Sequence, residues 1–165
     1  MTETFETPQF EFALEVRLQF RALPKVVDMP SGSSRGMVAL DGGTFEGPLL
    51  KGVAIPGSGG DFCLFRDDGV LAADARYLLQ EEDGSVFMLN TRGYIWGRDA
   101  QVMQAFERVA QGLSKEVIPP EQVYFRTLTT FEAPKGKHEW LAKHCFVGMG
   151  RRTEKGNAIR YYRIV

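Results

Sequence analysis

Histidine, cysteine and tryptophan are scarce in this 165-residue chain, with two of each. His138 and His144 lie six apart, which matches no zinc-ligand spacing, and no third ligand stands at a motif distance. No metal is therefore expected. Cys63 and Cys145 each sit inside an apolar run in a chain without an export signal, so both read as buried reduced thiols and not as a disulfide. A formal net charge of −1 leaves no excess positive field, so nucleic-acid binding by a basic face has no compositional support. No apolar run approaches the length of a membrane span. The start, Met1-Thr-Glu-Thr-Phe-Glu, is acidic and lacks the basic head and apolar middle of a signal peptide. The glycine-rich runs Gly42-Gly43 and Gly57 to Gly60 lack the lysine and following helix of a phosphate loop. Ser31, Ser33 and Ser34 sit in no nucleophile-elbow context. The expectation is a cytoplasmic chain, one domain over residues 1–165, with no cofactor and no membrane or nucleic-acid partner. Homo-oligomerisation is left open.

What the chain does have is period-two alternation. Phe10, Phe12, Leu14, Val16, Leu18 and Phe20 alternate with mostly polar residues as far as Arg21, giving a half-buried strand roughly 40 Å long. A strand of that length has to coil or bend, as strands do in barrels. Further strands are predicted at Met37–Leu40, Leu49–Ile55, Asp61–Phe65 and Gln122–Phe131. A last hairpin pairs His144–Arg152 with Asn157–Val165. Only Arg98 to Gly112 switches to helical spacing, with Asp99 as N-cap and Val102, Met103, Phe106, Val109 and Ala110 on one side. His138-Glu-Trp-Leu141 has the look of a single turn. Eight or nine strands with short connections and one helix argue an antiparallel barrel or sandwich. The long glycine-bent strands favour an all-β, closed or nearly closed β-barrel of 8–10 strands, with one amphipathic helix around residues 98–112.

The central hairpin runs from Val70 to Gly93 and turns at Asp83-Gly84. A two-residue turn would set Glu82 opposite Ser85, Leu78 opposite Leu89, Arg76 opposite Thr91 and Asp74 opposite Gly93. Asp74 and Arg76 then share a face with Leu78, Phe87 and Leu89. If that face lines the lumen, an unpaired carboxylate there costs several kcal/mol and must meet a guanidinium such as Arg76 or Arg126.

Gly42-Gly-Thr-Phe-Glu-Gly-Pro48, Asp74-Ala-Arg-Tyr77, Tyr124-Phe-Arg-Thr127 and Trp140-Leu141, in that order, resemble domain-of-unknown-function family 3237, the UPF0311 proteins. The likeness runs from about Phe10 to Val165 and takes in the loop from Pro56 to Asp61 and the strand Phe146-Val-Gly-Met-Gly150. It implies a small calycin-like or allene-oxide-cyclase-like β-barrel, some of whose relatives accompany genes for aromatic-compound or secondary metabolism. The chain departs from the family pattern at Phe62, where a tryptophan is usual, and at Ile118-Pro119-Pro120, which lengthens the loop after the helix.

The candidate catalytic residues are Glu46, Asp74, Arg76, Tyr124 and Arg126. Glu46 is a carboxylate within a strand that the family retains; in a dry cavity it would be raised in pKa and act as general acid or base. Arg126 could clamp a carboxylate or enolate, with Tyr124 donating to it. Trp96 and Trp140 are candidates to line an apolar mouth for a flat ligand. Asn90 opposes Tyr77 on the other hairpin face, reads first as its core partner, and is added as a ligand-binding candidate. The resulting expectation is a barrel binding a small hydrophobic or aromatic molecule, with cofactor-free isomerase, cyclase or lyase chemistry. A non-catalytic carrier or a solidly packed structural barrel is the alternative.

Overall fold

A computed structural model describes residues 6–165; the acidic start at Met1 to Phe5 lies outside them. The strands are β1 (Phe10–Ala22), β2 (Ser34–Arg35), β3 (Val38–Glu46), β4 (Lys51–Ala54), β5 (Gly60–Asp61), β6 (Leu64–Phe65), β7 (Leu71–Glu81), β8 (Val86–Gly97), β9 (Val123–Glu132), β10 (Phe146–Arg152) and β11 (Gly156–Ile164). Two helices interrupt them, α1 (Ala100–Ala110) between β8 and β9 and the single turn α2 (Glu139–Ala142) before β10. Hydrogen-bonded neighbours follow the order β7-β4-β3-β1-β11-β10-β9-β8, and β8 returns to β7. This is a closed, eight-stranded antiparallel β-barrel. Closure leaves those strands without the unpaired edge that invites aggregation. Three two-residue strands complete the strand set: β5 continues the slot of β4 between β3 and β7, β6 pairs with the start of β7, and β2 pairs with β6.

Alternation decides what fills the barrel. Inward positions carry Leu14, Val16 and Leu18 on β1, Tyr77 and Leu79 on β7, Phe87 and Leu89 on β8, Phe125 and Phe131 on β9, and Ile159 and Tyr161 on β11, all at most 4% exposed. One end is packed solid. Phe45, Phe87, Phe131 and Phe146 meet edge to face with ring centroids 4.9–6.2 Å apart, a favoured aromatic geometry. Leu141 of α2, fully buried, closes that end. Space at mid-barrel comes from Gly148. A Cβ there would lie 2.2 Å from Thr127 Oγ1 and 2.9 Å from the Tyr161 ring. Gly148→Ala is expected to destabilise by about 1–3 kcal/mol through overpacking, measured as a lowered urea midpoint with unchanged m-value.

The central hairpin differs from the sequence expectation by one residue. Glu81 N donates to Ser85 O at 2.9 Å, so the loop holds three residues and the true partners are Asp74–Arg92, Arg76–Asn90 and Tyr77–Leu89. The reason lies at Asp83. A two-residue type I′ turn needs positive φ at both central residues, but only Gly84 adopts it (φ 87°). Asp83 instead caps the turn, its Oδ1 accepting from Ser85 N at 2.8 Å. Shifting the register by one exchanges the β8 faces. Phe87, Leu89 and Thr91 therefore join Tyr77 inside, while Asp74 and Arg76 join Asn90 and Arg92 outside.

Candidate functional site

The barrel end opposite the phenylalanine cluster holds a pocket of about 70 Å³. Helix α1 lies over it. Asp99 Oδ1 caps the helix by accepting from Val102 N at 2.9 Å, and the apolar stripe Met103, Phe106 and Val109 is buried. Phe106, Glu107 and Ala110 form the roof, above apolar walls of Phe20, Phe65, Leu71 and Ile95. Asp61 and Arg152 line the pocket from the barrel wall, alongside Lys25, Cys63 and Glu107.

Asp61 stands on β5, opposite Val38 on one side and Ala75 on the other. Its Oδ1 accepts from Asp74 N at 2.9 Å, while Oδ2 accepts no hydrogen bond among the described residues. Burial raises its pKa from 3.8 to about 6, opposed by the Asp74 amide and helped by the Asp74 charge. Arg152 ends β10 on its inward side, in line with Phe146, Gly148 and Gly150. Its Nη1 donates to Asn157 Oδ1 at 3.2 Å, and its buried Nε has no partner. Desolvation alone lowers its pKa from the ordinary guanidinium range to about 10. Three strand steps separate β10 from β7 through β9 and β8, and three separate it from β3 through β11 and β1. Asp61 and Arg152 thus enter from opposite walls and do not form an ion pair.

Beneath the pocket lies a layer of hydroxyls. Thr91 and Thr129 share a hydrogen bond at 2.6 Å, and Tyr77 and Tyr161 are buried with their hydroxyls unpartnered. Desolvation lifts the Tyr161 phenol to about 12 and Tyr77 well above its ordinary value. Cys63 also lines the pocket, and burial pushes its thiol up to about 12, far from a reactive thiolate. Both cysteines are free, as expected, but only Cys63 is buried; Cys145 is exposed.

The expected site residues lie elsewhere. Glu46 is exposed on the outer wall, where β3 runs between Glu15 and Lys51, so it meets no dry cavity. Asp74 and Arg76 project outward; Asp74 Oδ1 lies 3.2 Å from Arg92 Nε and 3.6 Å from Arg76 Nη2, with both guanidinium side chains more than half exposed. Tyr124 and Arg126 share the outer face of β9, with the guanidinium 5.4 Å from the Tyr124 ring. Trp96 stacks on Tyr124 at 5.0 Å, also outside. Asn90 is not the core partner of Tyr77; its Nδ2 donates to Glu132 at 3.3 Å on the outer wall. Trp140 is half-buried at the closed end against Phe146 and Arg163, far from the open pocket. The structure therefore brings Asp74, Tyr124 and Arg126 together along an outer groove, with Arg92 and Tyr94. None of them enters the lumen.

Among the described residues, one group offers three metal-ligand side chains: Glu81, Asp83 and His138, at the closed end. Lys137 Nζ lies 2.8 Å from Glu81 and 3.3 Å from Asp83, so a protein ammonium balances the two carboxylates.

Residues 8–164 match the model of a family described as "Protein of unknown function (DUF3237)". The chain belongs to that family. A UPF0311 protein of Clostridium acetobutylicum is 29% identical over 130 residues, covering 79% of this chain and 77% of the relative. Among solved structures, a protein of Acinetobacter baumannii described as β-barrel like aligns with a TM-score of 0.78 and 27% identity, over 98% of this chain and 99% of that one. A protein of Penicillium herquei described as an enzyme aligns over the whole of both chains with a TM-score of 0.69 and 19% identity, a likeness of fold. Within this DUF3237 chain, the Pro56–Asp61 loop that carries part of the family resemblance is also the segment that delivers Asp61 to the pocket.

Proposed function

We propose that this barrel binds a small hydrophobic, aromatic or carbonyl-bearing molecule under α1 and acts on it as a cofactor-independent acid–base enzyme of the isomerase, cyclase or lyase type. One observation carries the reading: a carboxyl with a free oxygen and a pKa near 6 faces an apolar pocket. At neutral pH Asp61 is mostly ionised and more basic than an exposed aspartate, which suits removal of a proton beside a carbonyl. The proton would pass from substrate carbon to Asp61 Oδ2 and return to another carbon or leave with a departing group. Covering by α1 lowers the local polarity and strengthens the charge interactions beneath it. A benzene-sized guest fills a cavity of roughly 150 Å³, about twice this pocket, so α1 must shift to admit a ring. The fungal neighbour described as an enzyme supports the view that the fold can carry catalysis.

The test uses 1-phenylpropan-2-one, a neutral aromatic ketone with exchangeable protons, followed by NMR in deuterated buffer. Wild type should accelerate exchange beside the carbonyl, and Asp61→Asn should lose at least about 100-fold of that acceleration, the usual share of a general base. Equal rates with both proteins, or no acceleration by wild type, would remove Asp61 from the chemistry. Binding without exchange would identify a carrier, the second reading, which the predominantly apolar lining favours.

A further inference from the structure

Arg152 says what kind of ligand the pocket is built for. A half-buried guanidinium beside apolar walls normally meets a carboxylate, because a poorly solvated charge without a counter-charge is costly. Arg152 has none: its one side-chain bond is to the neutral Asn157 amide, and its Nε is sealed from solvent without an acceptor. Glu107, another carboxylate at the pocket, forms no ion pair with Arg152 among the described residues. Lys25 adds a second cation at the rim, its ammonium 3.5 Å over the Phe65 ring. We infer that the pocket selects ligands carrying an anionic oxygen group, a carboxylate or acidic phenolate on an apolar or aromatic body, and that Arg152 is the residue that reads the charge. The guanidinium provides parallel donors suited to a two-oxygen anion. The apolar body then lies against Phe20, Phe65 and Phe106, with Asp61 facing it from the far wall.

This inference rests on the pocket proposed above being the ligand site, but not on any chemistry there. The probes are phenylacetate and its neutral counterpart phenylacetamide, titrated into ¹⁵N-labelled protein with the Arg152 Nε–H and the pocket amides followed by NMR. Wild type should prefer phenylacetate by at least about tenfold, as expected for a charge-assisted hydrogen bond. The Nε–H resonance should move with phenylacetate and not with phenylacetamide. Arg152→Met should bind the two probes equally while still perturbing the same pocket amides, and Arg152→Lys should retain part of the preference. Asp61→Asn removes a negative charge facing the anion and should keep or raise the preference even though it loses exchange, so failure of the acid–base reading and failure of anion selection are separable. A preference that survives in Arg152→Met, or phenylacetate shifts confined to residues outside the pocket, overturns the assignment. No shift with either probe overturns it as well. If Arg152→Met does not fold, the wild-type Nε–H response decides.

Discussion

Asp61→Asn is expected to make the protein more stable at neutral pH while removing the proposed proton transfer. The folded-state pKa of Asp61, about 6, stands above its ordinary 3.8, so the native state holds the proton more tightly than the unfolded chain. Below about pH 4 the carboxyl is protonated in both states and burial carries no charge penalty. Between about pH 4 and 6 the unfolded chain ionises first, and wild-type stability falls as pH rises. Above about pH 6 the penalty is complete. Roughly two pH units at about 1.4 kcal/mol each give up to about 3 kcal/mol. Asparagine carries no charge and keeps an oxygen that can accept from Asp74 N. Urea melts of both proteins at pH 4, 5, 6 and 7.5 should therefore show a gain for Asp61→Asn that grows from near zero to its full value across that window. A constant difference, or a variant weaker at every pH, would mean that Asp61 is held as a structural acceptor. A gain in stability coupled to loss of function is the signature of a group kept for its chemistry.

The barrel was legible because its signals are local. The alternation of β1, the caps and stripe of α1, and the last hairpin all appear where the residues place them. The site was not, because it depended on a single register. Asp-Gly fits both a two-residue turn and a three-residue turn ending in a left-handed glycine, and the difference of one residue carried Asp74 and Arg76 from lumen to outer wall. Glu46 failed for a different reason: a carboxylate in a strand is unusual only if the strand is covered on both faces, and β3 is wet on one. Two signals would have led to the pocket. Counting by twos from Phe146 through Gly148 and Gly150 places Arg152 inside, although beside Arg151 it looks like half of a solvated pair. Asp61 heads an apolar run, Phe62-Cys-Leu-Phe65, where a carboxylate has no local reason to be. That the two face each other needs the closed order of strands, which no local pattern contains.

Glu81→Ala should weaken the fold by about 2–3 kcal/mol, and from the end of the barrel that has no pocket. Glu81 ends β7 on the inward side, and its side chain is only 7% exposed. It contacts the imidazole of His138, itself buried and tilted against Phe87 at 5.9 Å, and it accepts from Lys137 Nζ at 2.8 Å. These contacts tie the segment before α2 to the β7–β8 turn and so hold Leu141 in the barrel floor. Removing the carboxylate leaves the buried imidazole with Asp83 alone, 3.5 Å away. Lys137 keeps only its longer contact to the same exposed carboxylate. Leaving a buried polar group without its acceptor costs more than deleting an exposed pair. The comparison is Glu82→Ala, one residue on, whose carboxylate is 70% exposed and 3.9 Å from Lys51; it should change stability by less than about 1 kcal/mol. Thermal melts give the ranking, and hydrogen exchange gives the location. Amide protection should fall first at Trp140 and Leu141 in Glu81→Ala, while the Arg152 Nε–H response to phenylacetate persists wherever the variant remains folded. Equal losses for the two glutamates would mean that the phenylalanine cluster holds the floor without help from the charges above it.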